Sequence, residues 1–148
     1  MTYDHSFEER AKGYALCLAA GGVARYLEST SPQEKDMVPL DLCVDATLDY
    51  LESALRAPEI VNNRDYKGTN VGRDLTNSLC LMEINPEFAG LGPEDFVAEV
   101  SKYIDALRAL RQGKEVPEKR KLASLCGAIA RYTFSRLKPG SRSRIPHV

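Results

Sequence analysis

A segment of fourteen residues occurs twice in this chain, and both copies have the spacing of an amphipathic α-helix. The first copy, 16–29, reads LCLAAGGVARYLES, and the second copy, 122–135, reads LASLCGAIARYTFS. At about 3.6 residues per turn, each copy places large residues on one stripe and small residues on another. Each predicted helix would therefore meet bulky side chains on one side and a closely approaching backbone on the other.

The stripe of small residues predicts close helix packing. It contains Gly21 in the first copy and Gly127 in the second. Glycine inside a helix costs about 1 kcal/mol relative to alanine, a cost that close contact between two helices would offset. We therefore expect both glycines to mark helix–helix contacts. Replacing Gly127 by leucine should destabilise the fold by about 1–3 kcal/mol through overpacking.

Two interpretations of the repeated segment are open. A duplication would give a pseudo-twofold pair of helices in the core, whereas helices rich in leucine and alanine can also resemble each other by chance. Arg25 and Arg131 occupy equivalent positions in the two copies. They are either surface arginines that extend along their own helices or a paired anion site.

The rest of the chain shows the same periodicity, interrupted by helix start and stop signals. Ser6 and Glu9 form a capping box before the first helix, and Gly113 follows the clearest apolar stripe. We predict principal helices over 7–28, 39–56, 71–85, 93–112 and 117–137, and a short helical turn over 32–37. The predicted fold is all-α, a single-domain bundle of about five helices over 1–138 followed by a short basic tail over 139–148.

Charge is unevenly distributed along the chain, although the net charge is only −1. Residues 1–116 contain 12 Lys and Arg against 20 Asp and Glu, a net charge of −8. Residues 117–148 contain 8 Lys and Arg against Glu118 alone, a net charge of +7. This asymmetry predicts a charged partner or a charged internal contact. The basic residues that would contact a polyanion or a partner protein are Lys119, Arg120, Lys121, Arg131, Arg136, Lys138, Arg142 and Arg144.

The second predicted principal helix carries an acidic ridge on its outer side, formed by Asp41, Asp45, Asp49 and Glu52. Like charges four residues apart on a helix repel by a few tenths of a kcal/mol, so we expect the ridge to have a basic counter-surface. The basic C-terminal segment is the candidate, either within one chain or between subunits. Otherwise that segment serves a partner outside the fold.

The longest segment without helical periodicity is 57–70. Long loops in compact domains are either functional or loose. The residues of a possible binding loop are Arg64, Asp65, Tyr66 and Lys67.

Motifs for catalysis, cofactors and metals are missing from the sequence. No HExxH, GxSxG, P-loop or Rossmann motif occurs, and His5 and His147 lie at opposite ends. We therefore predict no catalytic, cofactor-binding or metal-binding residues and lean against an enzyme. The four cysteines are far apart and are interpreted as buried reduced thiols: Cys17, Cys43, Cys80 and Cys126.

Three functions remain, and a partner protein ranks first. The chain is a helical protein–protein interaction or homo-oligomeric module, or it binds nucleic acid through its basic last helix and tail. A small-ligand or enzymatic site at the 57–70 loop is the third possibility. No apolar run approaches the length of a membrane span, and the N-terminus lacks the basic region of a signal peptide. We expect a cytoplasmic protein without a membrane partner.

Overall fold

The computed structural model describes residues 7–55, 75 and 93–137. This part of the chain contains five helices and no strand: α1 (Phe7–Glu28), α2 (Pro32–Asp36), α3 (Leu40–Ala54), α4 (Pro93–Arg111) and α5 (Lys119–Leu137). The all-α prediction is confirmed. The predicted helix over 71–85, the candidate loop over 57–70 and the tail over 139–148 lie outside the described residues. Leu75 is the exception, and it is helical and buried.

Local signals account for where the helices begin and end. The Ser31 hydroxyl caps α2 by accepting a hydrogen bond of 3.4 Å from the Glu34 N–H, and Pro32 occupies the first turn. Gly113 follows α4 with a φ of 72°, a left-handed conformation that glycine adopts without steric cost. Glu118, directly before α5, also has a positive φ of 48°, so α5 begins two residues after the predicted Pro117.

The central element is α1, which packs along α5 on one side and along α3 on the other. The pair α1 and α5 is antiparallel. The Tyr14 hydroxyl near the start of α1 donates a 3.3 Å hydrogen bond to the Leu137 carbonyl at the end of α5. At the opposite end, Glu28 and Arg120 line the same cavity. On its far side α3 packs against α4, and α4 contacts α5 only slightly.

The hydrophobic core lies where α1, α3, α4 and α5 meet. Burying one large apolar side chain contributes roughly 1.5–3 kcal/mol. Among the described residues, ten large side chains of the core are almost completely buried: Phe96, Leu51, Leu75, Leu107, Leu122, Leu125, Ile129, Val23, Val44 and Val100. Thr47 is a buried polar residue in this core, and its hydroxyl donates a 2.8 Å hydrogen bond to the Cys43 carbonyl. Its polar atom is therefore satisfied without disturbing the packing.

The two copies of the repeated segment lie on α1 and α5, but their glycines differ. A Cβ atom on Gly21 would be 3.7 Å from the Ala130 Cβ, an ordinary helix–helix contact. Of the residues that the structure describes, a Cβ atom on Gly127 would meet only the guanidinium of Arg131 in its own helix, at 3.3 Å. The close helix contact predicted at Gly127 is therefore wrong, because this glycine faces an open groove. The pseudo-twofold relation between the copies stays a prediction.

A tighter contact lies one residue further along, at Gly22. A Cβ atom there would be only 2.7 Å from the Cys43 Sγ of α3 and 3.6 Å from the Val38 side chain. Consecutive residues of a helix point about 100° apart, so Gly21 faces α5 while Gly22 faces α3. Close packing at small residues is found, and at Gly22 it joins α1 to α3.

Candidate functional site

The acidic ridge on α3 is paired with arginines of α4. Arg108 Nη2 lies 2.8 Å from Glu52 Oε2. Arg111 bridges two carboxylates, with Nη1 at 3.2 Å from Asp41 Oδ1 and Nε at 3.0 Å from Asp45 Oδ1. Within the described part of the chain, these three acids are paired with α4 and not with the basic C-terminal segment, which was the candidate; pairing of the ridge between subunits stays a prediction. The reason is topological, because α3 packs against α4 whereas the main partner of α5 is α1.

This ridge surface, formed by Asp41, Asp45, Glu52, Arg108 and Arg111, is electrostatically matched within the chain. Both arginines lie in the last turn of α4, where the negative end of the helix dipole also favours cations. The hydrogen bond to Asp45 raises the pKa of Arg111. Each of these side chains remains partly open to water, so the pairs contribute modestly to stability. The fourth predicted acid, Asp49, is exposed and makes no ion pair with a described residue.

The predicted basic residues of α5 do not form one continuous cluster. Lys119 and Arg120 lie at the start of the helix, exposed and without an ion pair to any described residue. Lys121 pairs with Glu118 at 3.2 Å. Arg131 is exposed further along the helix, and Arg136 lies 5.7 Å from the centre of the Tyr132 ring. The other three predicted contacts lie outside the described residues: Lys138, Arg142 and Arg144.

A groove of about 430 Å³ runs along the outer side of the contact between α1 and α5. We call it the seam groove. Its floor consists of four small residues from the repeated segments: Gly21, Ala24, Gly127 and Ala130. Arg25 of α1 and Arg131 of α5 line the groove from opposite helices. The structure therefore brings the two equivalent arginines of the repeat to one site.

The seam groove contains both signs of charge. Arg25, Arg131 and Glu28 line it, and within the described part of the chain none of the three has an ion pair. Glu34 of α2 lies at the same groove and accepts a 3.0 Å hydrogen bond from the Ser29 hydroxyl. Two guanidinium groups and two carboxylates therefore border one small cavity, and none of them is neutralised by a described neighbour.

Large apolar side chains are exposed beside this groove. The exposed fraction is 77% for Leu18, 50% for Phe134 and 36% for Tyr14. The Tyr14 and Phe134 rings pack edge to face with centroids 6.4 Å apart, which joins α1 to α5. Tyr14, Leu18 and Arg25 fall on one stripe of α1 because they are spaced by four and seven residues. We call the surface formed by Tyr14, Leu18, Arg25, Arg131, Phe134 and the seam groove the seam face.

Sequence reasoning did not identify the seam face. An apolar stripe such as Tyr14 and Leu18 is typical of a buried helix side, and no signal in the sequence marks this one as exposed. The only hint was the pair Arg25 and Arg131, whose equivalent positions suggested an anion site.

The three described thiols are free, as expected of reduced cysteines. Cys126 is completely buried in the core, and burial raises its pKa to about 12. Such a thiol stays protonated at neutral pH and is a poor nucleophile. Cys43 is buried and Cys17 is half-buried, while Cys80 lies outside the described residues. In the described ranges, no three His, Cys, Asp or Glu side chains are grouped as a metal site.

Comparison with protein-family models, with curated proteins and with solved structures gives no match to this chain. Among the helices described above, none is both long enough and apolar enough to cross a membrane. The function is therefore inferred from the ridge surface and the seam face alone.

Proposed function

We propose that this chain is a non-enzymatic helical module that binds a protein through the seam face. One observation carries the proposal: Leu18 and Phe134 are exposed next to Arg25 and Arg131, which have no ion pair with a described residue. Single exposed apolar residues are ordinary on protein surfaces. Aromatic side chains and arginines grouped on one face are typical of the energetically important centre of protein interfaces.

The ridge surface supports this choice by contrast. Asp41, Asp45 and Glu52 are already paired with α4, so they do not need an external basic partner. In an assembly in which the acidic ridge of one chain meets the basic segment of another, these carboxylates would share their charge between the arginines of α4 and the second chain. On the seam face, by contrast, Arg25 and Arg131 have no ion pair with a described residue.

The shape of the seam groove also favours a protein partner. Gly127 lies within α5, where glycine costs about 1 kcal/mol relative to alanine, and it gains no close contact with another described element. A helix or side chain of a partner entering the groove would displace the flexible end of Arg131 from above Gly127 and occupy that space. Helices that bind in grooves of this kind are a common mode of recognition.

A second candidate function is polyanion binding at the start of α5. Lys119 and Arg120 favour it, because both are exposed without an ion pair to a described residue. Glu28 weakens it, since this carboxylate lines the same cavity as the two basic side chains. The small-ligand site at 57–70 falls outside the described residues and stays a prediction. We place the module in the cytoplasm, where thiols such as Cys17, Cys43 and Cys126 remain reduced.

Site-specific photo-cross-linking tests the proposal. A photoreactive amino acid is introduced at Leu18 or at Phe134 in cells that express the full chain, and products are separated by mass. Asp105 is the matched control, because it is exposed on α4, away from the seam face. We expect discrete products heavier than one chain from Leu18 and Phe134 and none from Asp105. Equal products from Asp105, or no heavier product from the two seam positions, would contradict the proposal.

A nucleic-acid titration separates the two candidate functions. Labelled single-stranded and double-stranded DNA and RNA are mixed with the protein at about 0.15 M salt. We expect no binding that depends steeply on salt. Binding that weakens with salt, and whose slope decreases when Lys119 and Arg120 are replaced by glutamine, would assign the function to the start of α5 instead. Lys102→Gln on α4 is the control for the loss of an exposed lysine.

A further inference from the structure

We infer that the partner bound by the seam face is a second copy of this chain, held by a twofold contact. The inference rests on the proposed function and names its partner. In a twofold contact the same surface is used on both subunits, so every contact between different residues is made twice. A surface used in this way must be complementary to itself.

The charges of the seam groove have this property. Arg25 and Arg131 are positive, and Glu28 and Glu34 are negative. When two such grooves face each other, arginines of one copy meet carboxylates of the other, and the reverse pairs form at the same time. A polyanion would meet Glu28 and Glu34 as well as the arginines, and a basic partner would meet the arginines. The second copy is the partner that matches both signs.

These charges are available for a contact between chains. Arg25 and Glu28 are three residues apart on α1, a spacing at which an arginine and a glutamate can pair. They do not pair in the structure, and neither Arg25 nor Arg131 has an ion pair with a described residue. Glu34 is engaged only through one carboxylate oxygen, Oε2, by the Ser29 hydroxyl. Each side chain can therefore bind across an interface without breaking an ion pair described within the chain.

The uncharged parts of the seam face fit the same arrangement. The floor of small residues allows helices of two copies to approach closely once the Arg131 guanidinium, which lies over Gly127, turns toward the other copy. Tyr14, Leu18 and Phe134 would be withdrawn from water in the contact, which supplies the non-directional driving force. The charged groups then fix the orientation of the two copies. A net charge of −1 leaves little long-range repulsion between them.

A charge-swap experiment tests the inference. One variant, Arg25→Glu with Arg131→Glu, makes the groove wholly acidic, and a second, Glu28→Arg with Glu34→Arg, makes it wholly basic. The mass of each in solution is measured by light scattering and sedimentation equilibrium over a range of concentrations. We expect the parent to reach the mass of two chains. The dissociation constant of each variant alone should rise at least about tenfold, and an equimolar mixture of the two variants should restore the dimer.

Asp105→Arg is the control for a charge reversal outside the seam face, and it should dimerise like the parent. Circular dichroism checks that the swapped variants keep their helices, since Glu34 also accepts a hydrogen bond from Ser29. Gly127→Leu gives an independent result should a swapped variant fail to fold. Its leucine occupies the groove, and it should abolish the dimer without lowering the melting temperature of the monomer.

Other outcomes overturn the inference and distinguish it from the proposed function. A parent with the mass of one chain at all concentrations, or swapped variants that each dimerise like the parent, would exclude the second copy. The mass of the cross-linked products at Leu18 then shows whether the seam face binds a different protein. Seam-specific products with a mass other than two chains leave the protein-binding module standing with another partner. If neither seam position gives a specific cross-linked product, both the dimer and the protein-binding function are contradicted.

Discussion

The ridge surface and the seam face are both exposed and both charged, yet only the ridge surface is complete within one chain. On the ridge surface, three carboxylates of α3 find two arginines of α4 within 3.2 Å. On the seam face, two arginines and two glutamates border a groove without an ion pair to a described residue. The difference teaches that the number of charges in a segment does not reveal which charges are free. Whether a charged side chain is paired depends on which helix packs beside it in the fold.

The largest expected effect tests the two sides of α5. Cys126 lies on the side that faces the core, and the adjacent Gly127 lies on the side that faces the seam groove. The folded pKa of Cys126 is raised from 9.0 to about 12 by burial, so the thiol ionises first in the unfolded chain. The stability that this residue contributes is therefore present below about pH 9 and is lost as the pH rises toward 12. Between pH 8 and 11 the parent should lose about 3 kcal/mol more unfolding free energy than Cys126→Ala.

Urea denaturation of both proteins at the two pH values measures this difference. Lysine and tyrosine titrations are common to both proteins and cancel in the comparison. Parallel losses of stability in parent and variant would show that Cys126 is not shielded from water and that the inner side of α5 is open.

The next effect compares Gly22 of α1 with Gly127 of α5. Gly22→Leu should lower the unfolding free energy by about 1–3 kcal/mol, because even a Cβ atom there lies 2.7 Å from the Cys43 Sγ. Gly127→Leu should not lower it, because only the flexible end of Arg131 is near and leucine has the higher helix propensity. Denaturation at a concentration where both proteins are monomeric is the measurement. A larger loss of unfolding free energy for Gly127→Leu than for Gly22→Leu would mean that Gly127, and not Gly22, lies at the tight helix contact.

The smallest effect compares an arginine of each surface. Arg108→Ala should lower the unfolding free energy by about 0.2–1 kcal/mol, the usual value of an exposed ion pair such as the one with Glu52. The loss should shrink at 1 M salt, where the screening length is about 3 Å. Arg131→Ala should leave the stability of the monomer unchanged at either salt concentration. A matching, salt-sensitive loss at Arg131 would mean that its charge is already paired inside the chain.

The helices themselves could be predicted closely from the sequence. The 3.6-residue periodicity and the local signals at Ser31, Pro32 and Gly113 are properties of a few neighbouring residues, so they need no knowledge of the fold. The first helix ends at Glu28 as expected, and α5 ends at Leu137. Cys43 of α3, one of the thiols predicted to be buried, is buried.

The surfaces could not be predicted, because they depend on which helices become neighbours. Arg108 and Glu52 are 56 positions apart, and nothing in either segment indicates that α3 will pack against α4 rather than against α5. The same limit applies to the small stripe. It showed that α1 and α5 could approach other helices closely, but it did not show that Gly127 would face a groove while Gly22 would meet Cys43.

The antiparallel contact of α1 with α5 has a consequence for how the chain is made. Tyr14 and Leu137, which are hydrogen-bonded in the fold, are 123 positions apart. At ribosomal rates of about 5–20 residues per second, roughly 6–25 s separate their synthesis. Throughout that interval α1 lacks the partner that covers much of its apolar surface. We expect the nascent chain to remain open to chaperones and aggregation until α5 has left the ribosome.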